Sequence, residues 1–356
     1  MELSSLGWDA LLEQRFKPYS RQGFKAGRVA VEQKELYHVF TVHGDLPARI
    51  TGKMRHAAKG RTDFPAVGDW VVLSYSPADA EATIQTILPR NSKLSRKVAG
   101  KTVDEQILAT NIDTAFIVMG LDGDFNLRRI ERYLTIIWES GANPVVLLNK
   151  VDLSTNPTER LTDVETVAFG VPVHLISART GQGIETVRRY LKTGKTAVLL
   201  GSSGAGKSTL INRLLGYERN RTQVVREDDS RGRHTTAYRE LIVLPHGGCI
   251  IDSPGIREIQ VWDAASGIGE TFEDVESLAR ECRFKDCRHE NEPGCVVQEA
   301  LKTGRLDAAR YENYLKLRRE QAYISRLQNK NEMTANKEKW RKIAKLSNQI
   351  KKAKYE

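Results

Sequence analysis

A glycine-rich segment constrains the fold of this chain more than any other feature. Residues 201–209 read GSSGAGKST, follow an apolar run at 197–200 and precede an amphipathic segment at 208–215. This spacing fits a phosphate-binding loop between a strand and a helix, in which glycines let backbone N–H groups turn toward phosphate oxygens. The flanking strand and helix disfavour the alternative of a structural glycine turn. The segment therefore predicts an α/β nucleotide-binding domain.

Every residue of this loop is a candidate ligand of a nucleotide phosphate or of its metal ion. Lys207 is expected to reach the β- and γ-phosphate oxygens, and Ser208 to bind Mg²⁺. The full set of candidates is Gly201, Ser202, Ser203, Gly204, Ala205, Gly206, Lys207, Ser208 and Thr209.

Two polar segments upstream of this loop are candidates for reading the base. Asn149, Lys150, Val151 and Asp152 follow an apolar run at 144–148. A carboxylate at Asp152 can accept hydrogen bonds from guanine N1–H and the N2 amine, and adenine offers neither donor, so guanine is predicted. Each segment is weak alone, and an ordinary polar loop remains the alternative.

The second base-reading segment comes after a predicted strand at 173–176. Ser177 and Ala178 stand there, where a backbone N–H can meet guanine O6.

A third loop is expected to sense the γ-phosphate. Asp252 follows an apolar strand at 249–251 and is expected to hold Mg²⁺ through water, with the Gly255 N–H near the γ-phosphate. The alternative is a β-turn containing proline. The arginine-rich segment 218–236 suits a switch that the γ-phosphate orders, with Thr235 or Thr236 on Mg²⁺, or else a solvated loop.

The order of these loops along the chain is unusual. Apolar runs alternate with amphipathic segments from residue 113, which predicts a parallel sheet covered on both faces. The base-reading loops precede the phosphate loop, whereas a GTPase usually has the reverse order. Because a parallel sheet brings its strand ends together whatever their order, the site survives relocation of the termini. The sequence therefore predicts a circularly permuted GTPase domain.

The N-terminal part reads as a small all-β unit. Short alternating runs separated by glycine, proline and charge suit a closed barrel of the OB type, a fold that often binds RNA. A barrel that serves only as a structural cap remains the alternative. Residues 90–97 are interpreted as a basic, polar linker. The predicted strands lie at 28–31, 37–42, 48–51, 70–73 and 82–87.

Four potential metal ligands cluster near the C-terminus. Cys282, Cys287, His289 and Cys295 supply three thiolates and an imidazole, a set suited to a structural, tetrahedral Zn²⁺. Their spacing departs from paired CxxC knuckles, so a metal-free cluster of reduced thiols stays open. A helix with Tyr311, Tyr314 and Leu315 at helical spacing is predicted beyond the cluster.

Charge and composition indicate an anionic partner. The formal net charge is +10, and from residue 326 onward ten lysines and arginines face three acidic residues. Nucleic acid is the leading candidate for the partner, although a solvated basic helix would also explain the tail. No apolar run approaches membrane-spanning length and the first residues do not suit a signal peptide, so a cytoplasmic protein is expected.

These motifs, in this permuted order between a barrel and a Cys/His cluster, closely resemble the ribosome small-subunit-dependent GTPase A family, the YjeQ-type bacterial GTPases. The resemblance extends from about residue 28 to 320. It implies GTP hydrolysis coupled to late maturation of the 30S ribosomal subunit, with the barrel and the zinc domain on ribosomal RNA. The implied ligands are GTP or GDP, Mg²⁺ and one structural Zn²⁺.

The expected organisation has three units and no membrane contact. Residues 1–95 comprise an N-terminal extension and the OB-fold barrel, 96–270 the permuted GTPase domain, and 271–356 an α-helical zinc-binding domain with a basic helical tail. The expected partners are the small ribosomal subunit and its rRNA, and the chain is expected to be a monomer.

One position bears on the hydrolysis step. Ile256 follows Gly255 where many GTPases carry a glutamine that orients water, so slow intrinsic hydrolysis is expected. His234 is the candidate that positions the nucleophile, and packing or contact with RNA phosphate is its alternative role.

Two other functions compete with a ribosome-associated GTPase. The first is an RNA-binding protein whose nucleotide is regulatory and turns over negligibly, which Ile256 keeps open. The second is a phosphate-loop ATPase or kinase, which Asp152 argues against.

Overall fold

A closed five-stranded barrel forms the N-terminal part of the protein. The structure, a computed structural model, describes residues 1–33, 36–76, 79–97, 104–219, 239–252 and 264–327. The first strand pairs with both the second and the fourth, which closes the barrel in the order β1-β2-β3-β5-β4. The elements are α1 (Ala10–Ser20), β1 (Lys25–Gln33), β2 (Leu36–Thr41), β3 (Gly44–Ile50), α2 (Gly52–Ala57), β4 (Trp70–Ser74) and β5 (Ala82–Ile87).

The predicted barrel is therefore confirmed, and its five strands lie within a few residues of the predicted positions. The helix α1, which the sequence analysis did not single out, begins after Asp9, whose side chain accepts from the Leu12 N–H at 2.8 Å. Leu12 and Phe16 bury the inner face of this helix against the barrel.

A two-stranded hairpin follows the barrel and corrects one prediction. Residues 90–97 were expected to be a linker, but β6 (Lys93–Lys97) pairs antiparallel with β7 (Glu105–Thr110). Arg90 donates to Asp69, whose side chain is buried, at 2.7 and 2.8 Å. The basic residues of this segment thus have partners distant in sequence, which composition alone does not reveal.

The central domain is a six-stranded sheet with the order β10-β9-β8-β11-β13-β12, in which only β12 runs antiparallel to its neighbour. All seven residues of its middle strand β8 are buried, as expected for a strand covered on both faces. Its elements are β8 (Thr114–Gly120), α3 (Leu127–Ser140), β9 (Asn143–Asn149), α4 (Pro157–Glu165), β10 (Val173–Leu175), α5 (Ile184–Arg188), β11 (Thr196–Leu200), α6 (Lys207–Leu215), β12 (Glu240–Val243) and β13 (Cys249–Asp252).

Alternate residues of β8 face two different cores. Ala115 and Ile117 belong to the core that includes α3, whereas Phe116 and Val118 belong to the core that includes α5 and α6. This two-sided burial explains why the strands read as continuous apolar runs in the sequence. The sheet joins the barrel edge to edge, where Val31 of β1 pairs with Glu240 of β12.

Helices form the C-terminal region, and the first of them packs on α3. They are α7 (Ala265–Thr271), α8 (Glu273–Arg280), α9 (Val296–Lys302) and helical residues 308–327. A Cβ at Gly267 would lie 2.0 Å from the Thr135 carbonyl oxygen, so glycine is required where α7 crosses α3. Tyr311 and Tyr314 are buried, as the predicted helical spacing indicated.

Candidate active site

The phosphate loop lies between β11 and α6, as predicted. Gly201, Gly204 and Gly206 all have positive φ angles, of 147°, 82° and 99°. Two of them also need the absence of a side chain, since a Cβ would lie 2.2 Å from the Val118 carbonyl oxygen at Gly201 and 2.2 Å from Asn149 Nδ2 at Gly206. The loop is thus built against β8 and against Asn149 at the end of β9.

Lys207 lies over this loop. Its Nζ donates to the carbonyl oxygens of Gly201 at 2.7 Å and Ser202 at 2.6 Å. The Lys207 ammonium group therefore lies beside the glycine-rich backbone of the loop. Phosphate oxygens can replace the two carbonyl oxygens as acceptors of its N–H groups.

Asn149 joins the phosphate loop to the second base-reading loop. Its side chain is buried, Nδ2 donates to the Ala205 carbonyl at 2.8 Å, and Oδ1 accepts from the Ala178 N–H at 2.9 Å. A single amide thus fixes two loops that are 56 and 29 residues away along the chain. The structure therefore brings together four predicted parts of the site, namely Asn149, Ser177, Ala178 and the phosphate loop.

Asp152 lies beside these loops with its carboxylate held in place. It accepts from Ser177 Oγ at 2.6 Å and pairs with Arg179 at 2.7 Å, and its side chain is 14% exposed. The hydrogen bond from Ser177 is the main reason that the pKa of Asp152 is lowered, and the Arg179 guanidinium also contributes. The group is therefore ionised at neutral pH, the state that accepts from two guanine donors.

Lys150 takes a backbone conformation that is rare for a residue with a side chain. Its φ is 67°, in the left-handed region, and its Nζ pairs with Asp122 at 2.5 Å. This hydrogen bond is the main reason that the pKa of Asp122 lies below its ordinary value. The left-handed turn separates Asn149, which points into the protein, from Asp152 and Val151 in the turn that follows.

One segment of this site, the loop of residues 121–126 between β8 and α3, was not predicted from the sequence. Its Asp122 contacts Lys150, and its Asp124 accepts from Ser202 Oγ of the phosphate loop. A signal was available, because two aspartates directly follow a buried strand at the carboxyl edge of a parallel sheet.

The two candidate Mg²⁺ ligands stand at the same edge of the sheet. Ser208 lies in the first turn of α6, and Asp252 ends β13, which runs parallel to β11 with Val198 opposite Ile251. A hydroxyl and a carboxylate at this edge fit the oxygen ligands that Mg²⁺ prefers. His234, Thr235, Thr236 and Gly255 lie outside the described residues.

The predicted zinc ligands converge. The ligand atoms of Cys282, Cys287, His289 and Cys295 all lie within 4.8 Å of one another. His289 Nδ1 is 3.6 Å from Cys282 Sγ and 3.5 Å from Cys295 Sγ, and those two sulfurs are 4.0 Å apart.

These separations fit a tetrahedral ion. Zn–S bonds of about 2.3 Å and Zn–N bonds of about 2.0 Å give tetrahedral edges of roughly 3.8 Å and 3.5 Å. Cys295 also begins α9, where its sulfur accepts from the Gln298 N–H at 3.4 Å. The Cys₃His set therefore has the chemistry and spacing of a structural zinc site.

Comparison with known proteins decides the family. The family model described as RsgA GTPase matches residues 87–262. The small ribosomal subunit biogenesis GTPase RsgA 1 of Oceanobacillus iheyensis is 48% identical over 318 residues, which cover 89% of this chain and 91% of that protein. The chain belongs to the RsgA GTPase family. The RsgA of Opitutus terrae is 45% identical, and the match covers 96% of this chain and 96% of that protein.

Solved structures agree with the fold. YjeQ from Thermotoga maritima matches with a TM-score of 0.61 and 25% identity over 84% of this chain and 99% of its own. YloQ, a circularly permuted GTPase, matches with a TM-score of 0.58 and 21% identity over 86% of this chain and 96% of its own. The predicted family, the permuted fold and the assignment as a GTPase enzyme are confirmed.

A second family model, described as ABC transporter, matches residues 184–352. That span includes the phosphate loop at 201–209, which ATPases and GTPases share. Among the residues that the structure describes, no helix is both long and apolar enough to cross a bilayer.

Proposed function

We propose that this RsgA-family chain binds GTP at the carboxyl edge of its central sheet and hydrolyses it to GDP and phosphate upon binding the small ribosomal subunit, assisting late maturation of that subunit. The carrying observation is the convergence of Asp152, Asn149 and the phosphate loop, which brings a guanine reader and a phosphate cradle together. The relatives of this chain are named small ribosomal subunit biogenesis GTPases, which supports the small ribosomal subunit as its partner.

The proposed roles follow from the chemistry of each group. Asp152 accepts from guanine N1–H and the N2 amine. In the loop of Ser177 and Ala178, the Ala178 N–H, which donates to Asn149 Oδ1 in the structure, exchanges that acceptor for guanine O6. Lys207 binds the β- and γ-phosphates, and Mg²⁺, when bound, neutralises the charge between them. Ser208 and Asp252 hold that ion, and either Thr235 or Thr236 joins them. The Gly255 N–H meets the γ-phosphate.

The nucleophilic water is proposed to be positioned by His234. Ile256 stands where a glutamine would orient water, and an aliphatic side chain offers no hydrogen bond. His234→Ala should lower turnover on the subunit by roughly 10²-fold or more, as for loss of a group that positions or activates the nucleophile, while leaving GTP affinity near that of the wild type. An unchanged subunit-stimulated rate would remove His234 from the mechanism.

Ribosomal RNA is the proposed contact of the barrel, of the zinc-binding region and of the basic residues after 326. The proposed units are residues 1–95, 96–270 and 271–356, in a monomeric cytoplasmic protein. Zinc has a structural part in this scheme, because four protein ligands leave no open coordination position.

Phosphate release from GTP and from ATP, with and without purified 30S subunits, tests the proposal. We expect slow release from GTP alone, strong stimulation by the subunits, and little release from ATP under either condition. Tight GTP binding with negligible release on the subunit would favour a regulatory RNA-binding protein. Comparable release from ATP would overturn the assignment of the base.

A further inference from the structure

The loop of residues 121–126, here called the aspartate loop, contacts both halves of the nucleotide site. Because β8 lies between β9 and β11 in the sheet, the loop that leaves β8 stands between the base-reading residues after β9 and the phosphate loop after β11. Its two aspartates point in these two directions. Asp122 pairs with Lys150, and Asp124 accepts from Ser202 Oγ.

The loop is itself held firmly. Asp122 Oδ1 accepts from the Asp124 N–H at 3.2 Å, and Asp124 also pairs with Arg129 in the first turn of α3. Asn126 begins that helix, with its side chain accepting from the Arg129 N–H at 3.0 Å. The Asp124 carboxylate is therefore shared between a rigid helix and the phosphate loop.

Ser202 is the residue through which this contact reaches the nucleotide. Its side chain is held by Asp124, and its carbonyl oxygen accepts from Lys207 Nζ at 2.6 Å. The rest of the loop is rich in glycine, a residue that loses more conformational freedom than any other on ordering. A fixed point at Ser202 lowers the entropy that must be lost when the backbone N–H groups converge on phosphate.

We propose that the aspartate loop is a two-ended clamp that sets the separation of the base reader and the phosphate loop, with Asp124 positioning Ser202 and Asp122 positioning Lys150. The inference rests on the proposed binding of guanine nucleotide at this site. Neither aspartate is assigned a contact with the nucleotide, so both are positioning residues.

A double-mutant cycle in the full-length protein tests the clamp. Ser202→Ala, Asp124→Ala and the double variant are titrated with a fluorescent GDP. Each single variant should weaken binding about five- to twenty-fold, the range of a charge-assisted hydrogen bond at a partly exposed site. Because both changes remove the same contact, the double variant should bind about as weakly as one single variant.

Conservative variants separate positioning from support of the fold. Asp124→Asn keeps an oxygen that accepts from Ser202 but loses the ion pair with Arg129, so it should bind GDP within about three-fold of the wild type. If Asp124 only anchors α3, Asp124→Asn should instead bind GDP as weakly as Asp124→Ala does. Asp45→Ala is the matched control. Among the described residues the Asp45 carboxylate pairs only with His38 on the barrel, at 3.4 Å, so the change should leave affinity unchanged.

The outcomes are distinct. Losses that multiply in the double variant, or a Ser202→Ala variant with wild-type affinity, would overturn the clamp while leaving GTP binding intact. If Asp124→Ala fails to fold, wild-type affinity in Ser202→Ala still overturns the clamp, because that variant removes only a hydroxyl. A wild-type protein that binds no guanine nucleotide would instead refute the proposed function.

Discussion

Replacing Arg310 should loosen the C-terminal region from the GTPase domain. The Arg310 side chain is 4% exposed and lies between α3 and the C-terminal helices. It donates to Asp274 at 2.7 and 2.8 Å, to Glu131 at 2.8 Å and to the Thr271 carbonyl at 2.8 Å. Arg310→Met keeps much of the apolar volume and removes every donor. The variant therefore isolates the polar network from the packing.

The expected loss of unfolding free energy in Arg310→Met follows from the partners that Glu131 retains. Glu131 is fully buried, and of its side-chain partners in the described part of the chain it would keep Arg128 at 2.6 Å and Asn313 at 2.6 Å. Breaking a buried pair costs about 3–5 kcal/mol, and the two remaining donors place this case near 3 kcal/mol. Arg318→Met is the matched control on the same helix, because Arg318 is 58% exposed and its ion pair with Glu276 should contribute less than about 1 kcal/mol.

The loss of stability in Arg310→Met should also depend on pH. Burial raises the pKa of Glu131 although Arg128 and Arg310 oppose the shift. A carboxyl group with a raised pKa in the folded state adds stability below its unfolded pKa and loses it as the pH rises through the folded pKa. Removing Arg310 raises the pKa of Glu131 further, so the loss should be larger at pH 8 than at pH 5.

Urea unfolding of wild type, Arg310→Met and Arg318→Met at both pH values measures this effect. Adding Glu131→Gln to Arg310→Met should recover part of the stability at pH 8, because the buried charge is gone. Equal effects of the two arginine variants, or a loss of stability that does not change with pH, would show that the Arg310–Glu131 pair does not hold the two regions together.

Other predictions address the metal and the base-reading loops. Cys287→Ser should lower the zinc content from about one equivalent toward none, as measured by elemental analysis, and acidification should release the metal because thiolate ligands take up protons. A zinc content unchanged in Cys287→Ser would favour another ligand set. Asn149→Ala leaves the Ala205 carbonyl and the Ala178 N–H without this partner, so GDP affinity should fall by at least about ten-fold in titration. Affinity equal to the wild type would mean that the bridge is dispensable.

The sequence predicted those features that depend on local pattern. Strand β8 reads as an apolar run because both of its faces are covered, and the glycines of the phosphate loop stand where the backbone needs positive φ. The Cys₃His ligands lie close together in the chain, so their convergence needed little long-range information.

Features that depend on contacts between distant segments were not predictable in this way. Residues 90–97, which include β6, read as a linker in the sequence because basic, polar residues carry little apolar periodicity. Glu131 and Arg310 are 179 residues apart, and nothing local distinguishes them from surface charges. Asp124 likewise acts through Ser202, 78 residues away, and becomes visible only once β8 and β11 are neighbours.

The most direct test of the account replaces Asp152 by asparagine and measures the affinities for GDP, XDP and ADP in competition titrations. Asparagine at this position cannot accept from both guanine donors, whereas its amide N–H can donate to the oxygen that xanthine carries at C2. The account predicts that affinity for GDP falls by roughly 10²-fold or more and that XDP becomes the better ligand. A preference for GDP over XDP and ADP equal to that of the wild type would contradict it.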